Sequence, residues 1–279
     1  MAKVTLDQIK SLRDKTNVGI MDVKKALTKA NGDEKKAMDL LREKGAKQAQ
    51  KRSGNKTENG LTKIVSNGNV AVILEVDSES DSLPTNAKFQ GLVSMIAKAI
   101  LAHQPKTVAD ALKLSSKQGT IKDSITYITQ ITHENINLSR FQIVKKNDDD
   151  HFGIYVHNGG QIASLVVVNG ADDSVAGNVA MHVAAMDPEY LVPSDISEDR
   201  MNHEKAVLKK EALNSGKPAK IVKMMINGRL KKRLSQICLA DQQFVMNSDQ
   251  TVAKYVKANH GQLKSFIRYE VGETANDQQ

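Results

Sequence analysis

Leu61-Thr-Lys-Ile-Val65, Ser66-Asn-Gly-Asn69 and Val70-Ala-Val-Ile-Leu-Glu-Val76 read as two strands joined by a turn, because Asn-Gly between apolar runs supplies the positive-φ residues of a tight hairpin. The acidic loop Asp77-Ser-Glu-Ser-Asp-Ser-Leu-Pro-Thr-Asn86 follows, then a helix-like stretch from Ala87 to Ala102. The same order returns later. Phe152-Gly-Ile-Tyr-Val156, the turn His157-Asn-Gly-Gly160 and the strand Ile162-Ala-Ser-Leu-Val-Val-Val168 precede a polar loop and a helix through Val179-Ala-Met-His-Val-Ala-Ala185. Even the helix ends agree: Ile96 to Pro105 aligns with Val179 to Pro188 when the prolines are superposed. Isolated hairpins are marginal and apolar helix faces need a sheet to cover, so the expected fold class is α+β, with a core of two repeated α/β subdomains.

Working outward, the first residues repeat apolar side chains at helical spacing. Leu6, Ile9 and Leu12 follow a capping Thr5. A break at Thr16-Asn-Val-Gly19 leads to Met21 through Leu27, and Asn31-Gly-Asp33 opens a third helix from Glu34 to Lys44, stopped by Gly45. Three short amphipathic helices must pack on one another, with Val23, Leu27, Met38 and Leu41 inside. Residues 46–59, rich in Lys, Gln, Ser, Gly and Asn, read as a linker or a frayed helical extension. Between Ser197 and Leu239 two antiparallel helices are expected, ended by Gly216 and restarted by Pro218, with Val207, Leu208, Leu213, Ile221, Met224 and Met225 in mutual contact. Gln262 to Val271 alternates like a strand and should join a core sheet. The expected division is therefore 1–45, a linker 46–59, core subdomains 60–140 and 141–196, a hairpin insertion 197–239, and a C-terminal module with the last core strand, 240–279.

A net charge of +8 and a pI near 9.3 point to an acidic partner, nucleic acid or protein. Single-strand readers interleave basic residues with stacking aromatics, whereas this chain has no Trp, five Tyr and five Phe, so nucleic acid is not the expected partner. No apolar run approaches the roughly 20 residues of a membrane helix, and no secretory signal opens the chain, so a soluble, cytoplasmic protein with no membrane partner is expected. Cys238, the single cysteine, fits a reducing compartment and reads as packing.

Catalytic and ligand motifs are missing. There is no phosphate-cradling glycine loop, no zinc-binding His-Glu-x-x-His and no nucleophile elbow, so neither a cofactor nor direct nucleotide binding is expected. His157, in a tight turn, and His182, in a core-like helix, are the histidines of interest. The acidic loop presents Asp77, Glu79 and Asp81 on alternate residues, as if to display groups rather than pack them, although Ser, Asp and Asn are also ordinary connecting and capping residues. As a calcium loop it fails, with Ser82 where the turn glycine belongs and Lys88 where the bidentate glutamate belongs.

Arg13-Asp-Lys-Thr-Asn-Val-Gly-Ile-Met-Asp-Val-Lys-Lys-Ala-Leu27, with Ala30-Asn-Gly-Asp33 and Leu41-Arg-Glu-Lys-Gly45, resembles the opening of the elongation factor Ts family. Met181 to Pro188, Ser215 to Pro218, Gly228 to Lys232, Gln243-Phe-Val245 and Phe266 to Glu273 resemble later motifs of that family, in its order. The resemblance implies a guanine-nucleotide exchange factor for the GTPase elongation factor Tu, not an enzyme with chemistry of its own, with a three-helix module of the ubiquitin-associated (UBA) type and a protruding, coiled-coil-like helical hairpin. It also implies a loop, Thr-Asp-Phe-Val in the family, that dislodges magnesium from the partner. The matching residues here are Ser80, Asp81, Ser82 and Leu83. Asp81 keeps its carboxylate, the aromatic wedge is replaced by Ser82, and Leu83, held by Pro84, is expected to act as the apolar tip. Val18, Gly19, Ile20 and Met21 are the expected partner contacts of the N-terminal unit, against a reading in which Ile20 and Met21 are core. His157 is the expected contact of the second subdomain, although Gln161 replaces the basic residue often found after its glycines. Two other readings are open: an RNA-binding translation protein using Arg229 to Arg233, and a chaperone of the GTPase that does not speed exchange.

Overall fold

The computed structural model describes residues 4–213 and 219–273. Contacts divide the chain into two units, Met1–Asn67 with Val72–Ile143, and Gly68–Ala71 with Val144–Gln279.

The first unit opens with α1 (Leu6–Thr16), α2 (Ile20–Lys29) and α3 (Glu34–Arg52). Thr5 closes a capping box with Gln8, and the Asp33 carboxylate caps α3 at the Lys36 amide, so the start signals act as read. Ile9, Leu12, Val18, Val23, Leu27, Ala37 and Leu41 form the core of this bundle. Helix α3 does not stop at Gly45. It runs to Arg52, so residues 46–52 are its last turns rather than linker. Gly45 serves packing: a Cβ there would lie 2.6 Å from Gln130 Oε1, while Gln130 Nε2 donates to the Leu41 carbonyl at 3.1 Å.

The hairpin of β1 (Asn59–Asn67) and β2 (Val70–Ser78) turns at Gly68, whose φ is +54°. Helix α4 (Ala87–His103) covers it. The short α5 (Val108–Ala111), β3 (Ser115–Ser116) and β4 (Gly119–Thr120) then lead into α6 (Ile121–Thr132) and β5 (Ile136–Lys145). The sheet order is β1-β2-β5. Alternate residues Val72, Leu74 and Val76 of β2 cluster with Phe89, Leu92, Val93, Ile96 and Ile100 of α4, and Ala71, Ile73 and Glu75 between them are buried too, as in a strand covered on both faces.

In the second unit β6 (Asp150–His157), β7 (Ile162–Asn169) and α7 (Asp173–Met186) are followed by α8 (Glu198–Leu213), α9 (Ala219–Ile237), β8 (Gln243–Phe244), β9 (Asn247–Thr251), α10 (Val252–Ala258) and β10 (Gln262–Glu270). The sheet order is β10-β7-β6, all antiparallel, so the C-terminal strand does join a core sheet. Gly153 lets α7 touch the sheet, since a Cβ there would meet the Ala176 carbonyl at 2.0 Å. The repeat is visible at the helix ends: α4 closes on Gln104 and α7 on Asp187, both left-handed and each followed by the superposed proline. The repeats differ in their third strand, which is β5, directly after α6, in one and β10, after α8, α9 and α10, in the other.

Helices α8 and α9 pack on one another. Met201, Glu204, Leu208 and Ala212 of α8, at spacings of three and four, and Val222, Met225, Ile226 and Leu230 of α9 are buried or half-buried and mark the seam. Ion pairs Glu211–Arg229 and Glu204–Arg233 bridge the two helices in the antiparallel sense. Val207, Ile221 and Met224, read as packing residues, are 41%, 44% and 68% exposed and lie off this seam. The side chain of Leu213, the breaks at Gly216 and Pro218, and the tail beyond residue 273 fall outside what the structure describes.

Candidate functional site

The three carboxylates that look like one acidic display have three different fates. Strand β2 continues through Ser78, so Asp77 is a strand residue and only 7% exposed. Two residues back, Glu75 is fully buried and accepts from Arg140 Nε at 2.6 Å. Burial, the adjacent Glu75 charge and a hydrogen bond to Glu75 together push the Asp77 carboxyl up to about 7, against weaker opposing contributions from Ser139 and Arg140. Its Oδ1 is buried without a hydrogen-bond partner. Between about pH 4 and pH 7 the native state holds a proton that the unfolded chain has lost, so stability falls as pH rises through that window. Asp77→Asn should therefore match the parent below pH 4 and exceed it by about 2–4 kcal/mol above pH 7. Urea unfolding at pH 4, 6 and 8 measures the difference.

Glu79 is the second carboxylate, and it is a structural anchor. Its oxygens accept from Arg52 Nη1 at 3.2 and 3.3 Å, from Asn55 Nδ2 at 3.0 Å and from the Asn135 amide. Burial raises its carboxyl, but these bonds together outweigh it and hold the group below the ordinary range. Ser80 is held as firmly: its amide and hydroxyl donate to the two Glu134 oxygens at 2.9 and 2.8 Å.

Asp81 and Ser82 are exposed. Beyond them the chain dives back in a single 3-10 turn, Leu83–Thr85, with Thr85 Oγ1 donating to the Ser82 carbonyl at 2.7 Å. Leu83 is 4% exposed and belongs to the core under α4 with Leu61, Val76 and Phe89, so it is not an apolar tip. Pro84 is buried beside it, its carbonyl accepting from Gln90 Nε2 at 3.0 Å. Asp81 and Ser82 are thus an exposed pair between the hydrogen-bonded Glu79–Ser80 and the buried Leu83–Pro84, with Thr85 and Asn86 exposed beyond them.

At the N-terminal break, Val18 is core, whereas Gly19 is exposed and caps α2. Ile20 and Met21, 52% and 61% exposed, are surface residues and not core. His157 ends β6 on the surface, with Tyr155 Oη 3.3 Å from its Nδ1, and lies in the other unit. His182 is fully buried: Val245 N–H donates to Nδ1 at 3.1 Å, which leaves Nε2–H to donate to Gln242 Oε1 at 2.9 Å. Burial lowers its pKa and its role is packing. Arg229 and Arg233 are engaged by Glu211, Glu189 and Glu204.

Cys238 is buried, and burial, followed by Asp241, Asp195 and Glu189, pushes its thiol up to about 11. At pH 8 only about one thiol in a thousand is ionised. Colourless incubation with a thiol reagent in buffer, and one equivalent of colour on adding denaturant, is the expected result.

Arg52, Asn55, Glu134 and Asn135 are the residues that sequence reading missed. Their partners lie 24 to 56 positions away, and no local periodicity marks such contacts. Among the described residues no three His, Cys, Asp or Glu side chains could hold a metal, and no helix is long and apolar enough to cross a membrane.

The family described as Elongation factor TS matches residues 79–273. The chain belongs to the elongation factor Ts family. Relatives named Elongation factor Ts from Levilactobacillus brevis and Lactiplantibacillus plantarum are 53% and 52% identical over 273 residues, covering 98% of this chain and 93% and 94% of theirs. One from Limosilactobacillus reuteri is 51% identical over the same length. This family member is a translation elongation factor.

Proposed function

We propose that the chain is a guanine-nucleotide exchange factor for elongation factor Tu. It binds the GDP-loaded GTPase, displaces the partner's magnesium ion, releases GDP and stays bound until GTP enters. The observation that carries this reading is the exposed pair Asp81–Ser82, held between the hydrogen-bonded Glu79–Ser80 and the buried Leu83–Pro84 in a chain of this family.

Exchange needs surfaces, not reactive side chains. A nucleotide held at nanomolar affinity has about 12 kcal/mol of binding free energy. A factor that prefers the nucleotide-free GTPase must weaken the nucleotide by the same factor, through contacts that differ between the two states. A carboxylate brought against the magnesium and phosphate site, Asp81, supplies such a contact. The work is done in the cytoplasm, with no covalent step, cofactor or nucleotide site in this chain. Helices α1–α3 act as the UBA-like module, α8 and α9 as the family's helical hairpin, and the two repeats as the core. Ile20, Met21 and His157 are the remaining docking residues.

Stopped-flow release of fluorescent GDP from elongation factor Tu tests this. Saturable acceleration is expected. Binding without acceleration would make the chain a chaperone of the GTPase, and steeply salt-dependent RNA affinity would favour the RNA reading. Replacing Ile20 and Met21 together by serine is expected to raise the half-saturating concentration about tenfold, a loss of roughly 1.4 kcal/mol of apolar burial.

A further inference from the structure

We propose that Arg52 and Glu134 are positioning residues for exchange: they hold the Asp81–Ser82 tip rigid, and Arg52 ties it through α3 to the helices that carry Ile20 and Met21. The inference rests on the exchange function proposed above and names the device that serves it.

The loop by itself has little to hold it. Glu79-Ser-Asp-Ser82 contains no apolar side chain, and Ser and Asp adopt many loop conformations. Its order comes from outside. On the entry side, one carboxylate, Glu79, collects Arg52, Asn55 and the Asn135 amide, while Asn59 Nδ2 donates to the Glu79 carbonyl at 3.0 Å. At the next residue Glu134 takes both Ser80 donors, and Ser80 Oγ in turn accepts from the Leu83 amide at 3.3 Å. On the exit side Leu83 and Pro84 are fixed in the core. Anchors that order the tip before it meets a partner remove the entropy that a mobile loop would lose on docking.

Arg52 adds a second consequence because of where it sits. It is the last residue of α3, a continuous helix of 19 residues and hence about 28 Å long. Ala37 and Leu41 of that helix are core residues of the α1–α3 bundle, and its far end grips Glu79. Ile20 and Met21 open α2 of the same bundle. Helix α3 also packs on α6, where Gln130 fills the space at Gly45. A docking surface and the reacting tip are therefore joined by one helix and one ion pair, so that seating Ile20 and Met21 on the GTPase fixes where Asp81 is delivered.

Arg52→Ala, Arg52→Lys and Glu134→Ala test this with two readouts on the full chain. In the factor alone, amide hydrogen exchange across residues 79–83 should accelerate at least tenfold in Arg52→Ala and Glu134→Ala. Melting should stay close to that of the parent. With elongation factor Tu, maximal GDP release should fall about tenfold while the half-saturating concentration moves less than threefold. Arg52→Lys, which keeps the charge but not the fork, should recover most of both. Unchanged loop exchange in the alanine variants, or faster loop exchange with full-speed GDP release, overturns the proposal. A parent chain that fails to accelerate GDP release overturns the exchange function itself, and the hydrogen-exchange readout then still reports whether the clamp orders the loop.

Discussion

Leu83→Ala is expected to lower folding stability by about 3 kcal/mol, the usual cost of emptying a buried leucine site, and to leave GDP release at temperatures well below melting within about threefold of the parent rate. The side chain is 4% exposed and packs in the cluster formed by β1, β2 and α4. Nothing of it reaches a partner. Had Leu83 been an apolar tip, the same substitution would cost little stability and would slow exchange sharply. Denaturant unfolding and stopped-flow release on the same preparation separate the two. A stable but slow Leu83→Ala would put the wedge at Leu83 after all. The expected pattern, unstable but fast, places the chemistry at the two residues before it.

The reason Leu83 misleads in sequence shows how far sequence goes here. The hairpin at Leu61–Val76 and its return at Phe152–Val168 are legible because alternation, Asn-Gly turns and the spacing to a proline are local signals, each carried by neighbours in the chain. The caps at Thr5 and Asp33 are legible for the same reason. What fails is decided by partners far away. Gly45 has the composition of a helix stop, yet its missing Cβ is filled by Gln130, 85 positions on, and α3 continues to Arg52. Asp77, Glu79 and Asp81 are equivalent in sequence and differ only in what faces them: a buried glutamate, an arginine with two asparagines, and solvent. Leu83 stands next to Ser82 in a polar loop, but a 3-10 turn carries it into the core. Burial of a single loop residue depends on the direction of the chain after the turn, and composition does not record that direction.

Ser82 is where the largest gain is expected. It is exposed, its hydroxyl lies 3.0 Å from Ser80 Oγ, and it sits where the family pattern that this loop resembles has an aromatic residue. Ser82→Phe adds a side chain on the surface of the free protein, where substitutions change stability by no more than about 0.5 kcal/mol. In the complex, burying that ring against the GTPase should contribute about 2 kcal/mol, or roughly thirtyfold. If the contact exists only once the nucleotide site is opened, the gain appears in the maximal rate of GDP release; if it also exists in the initial complex, it appears in the half-saturating concentration. The first is expected, because the tip is clamped and cannot adapt its position to the closed site. Asp81→Ala is the companion experiment: the carboxylate is exposed, so melting should not move, while release should fall tenfold or more through loss of the charge set against the partner's magnesium. A Ser82→Phe variant with parental exchange, combined with an inactive Asp81→Ala, would mean that this chain displaces the metal by charge alone and that the surface opposite Ser82 on its GTPase has no cavity to receive a ring.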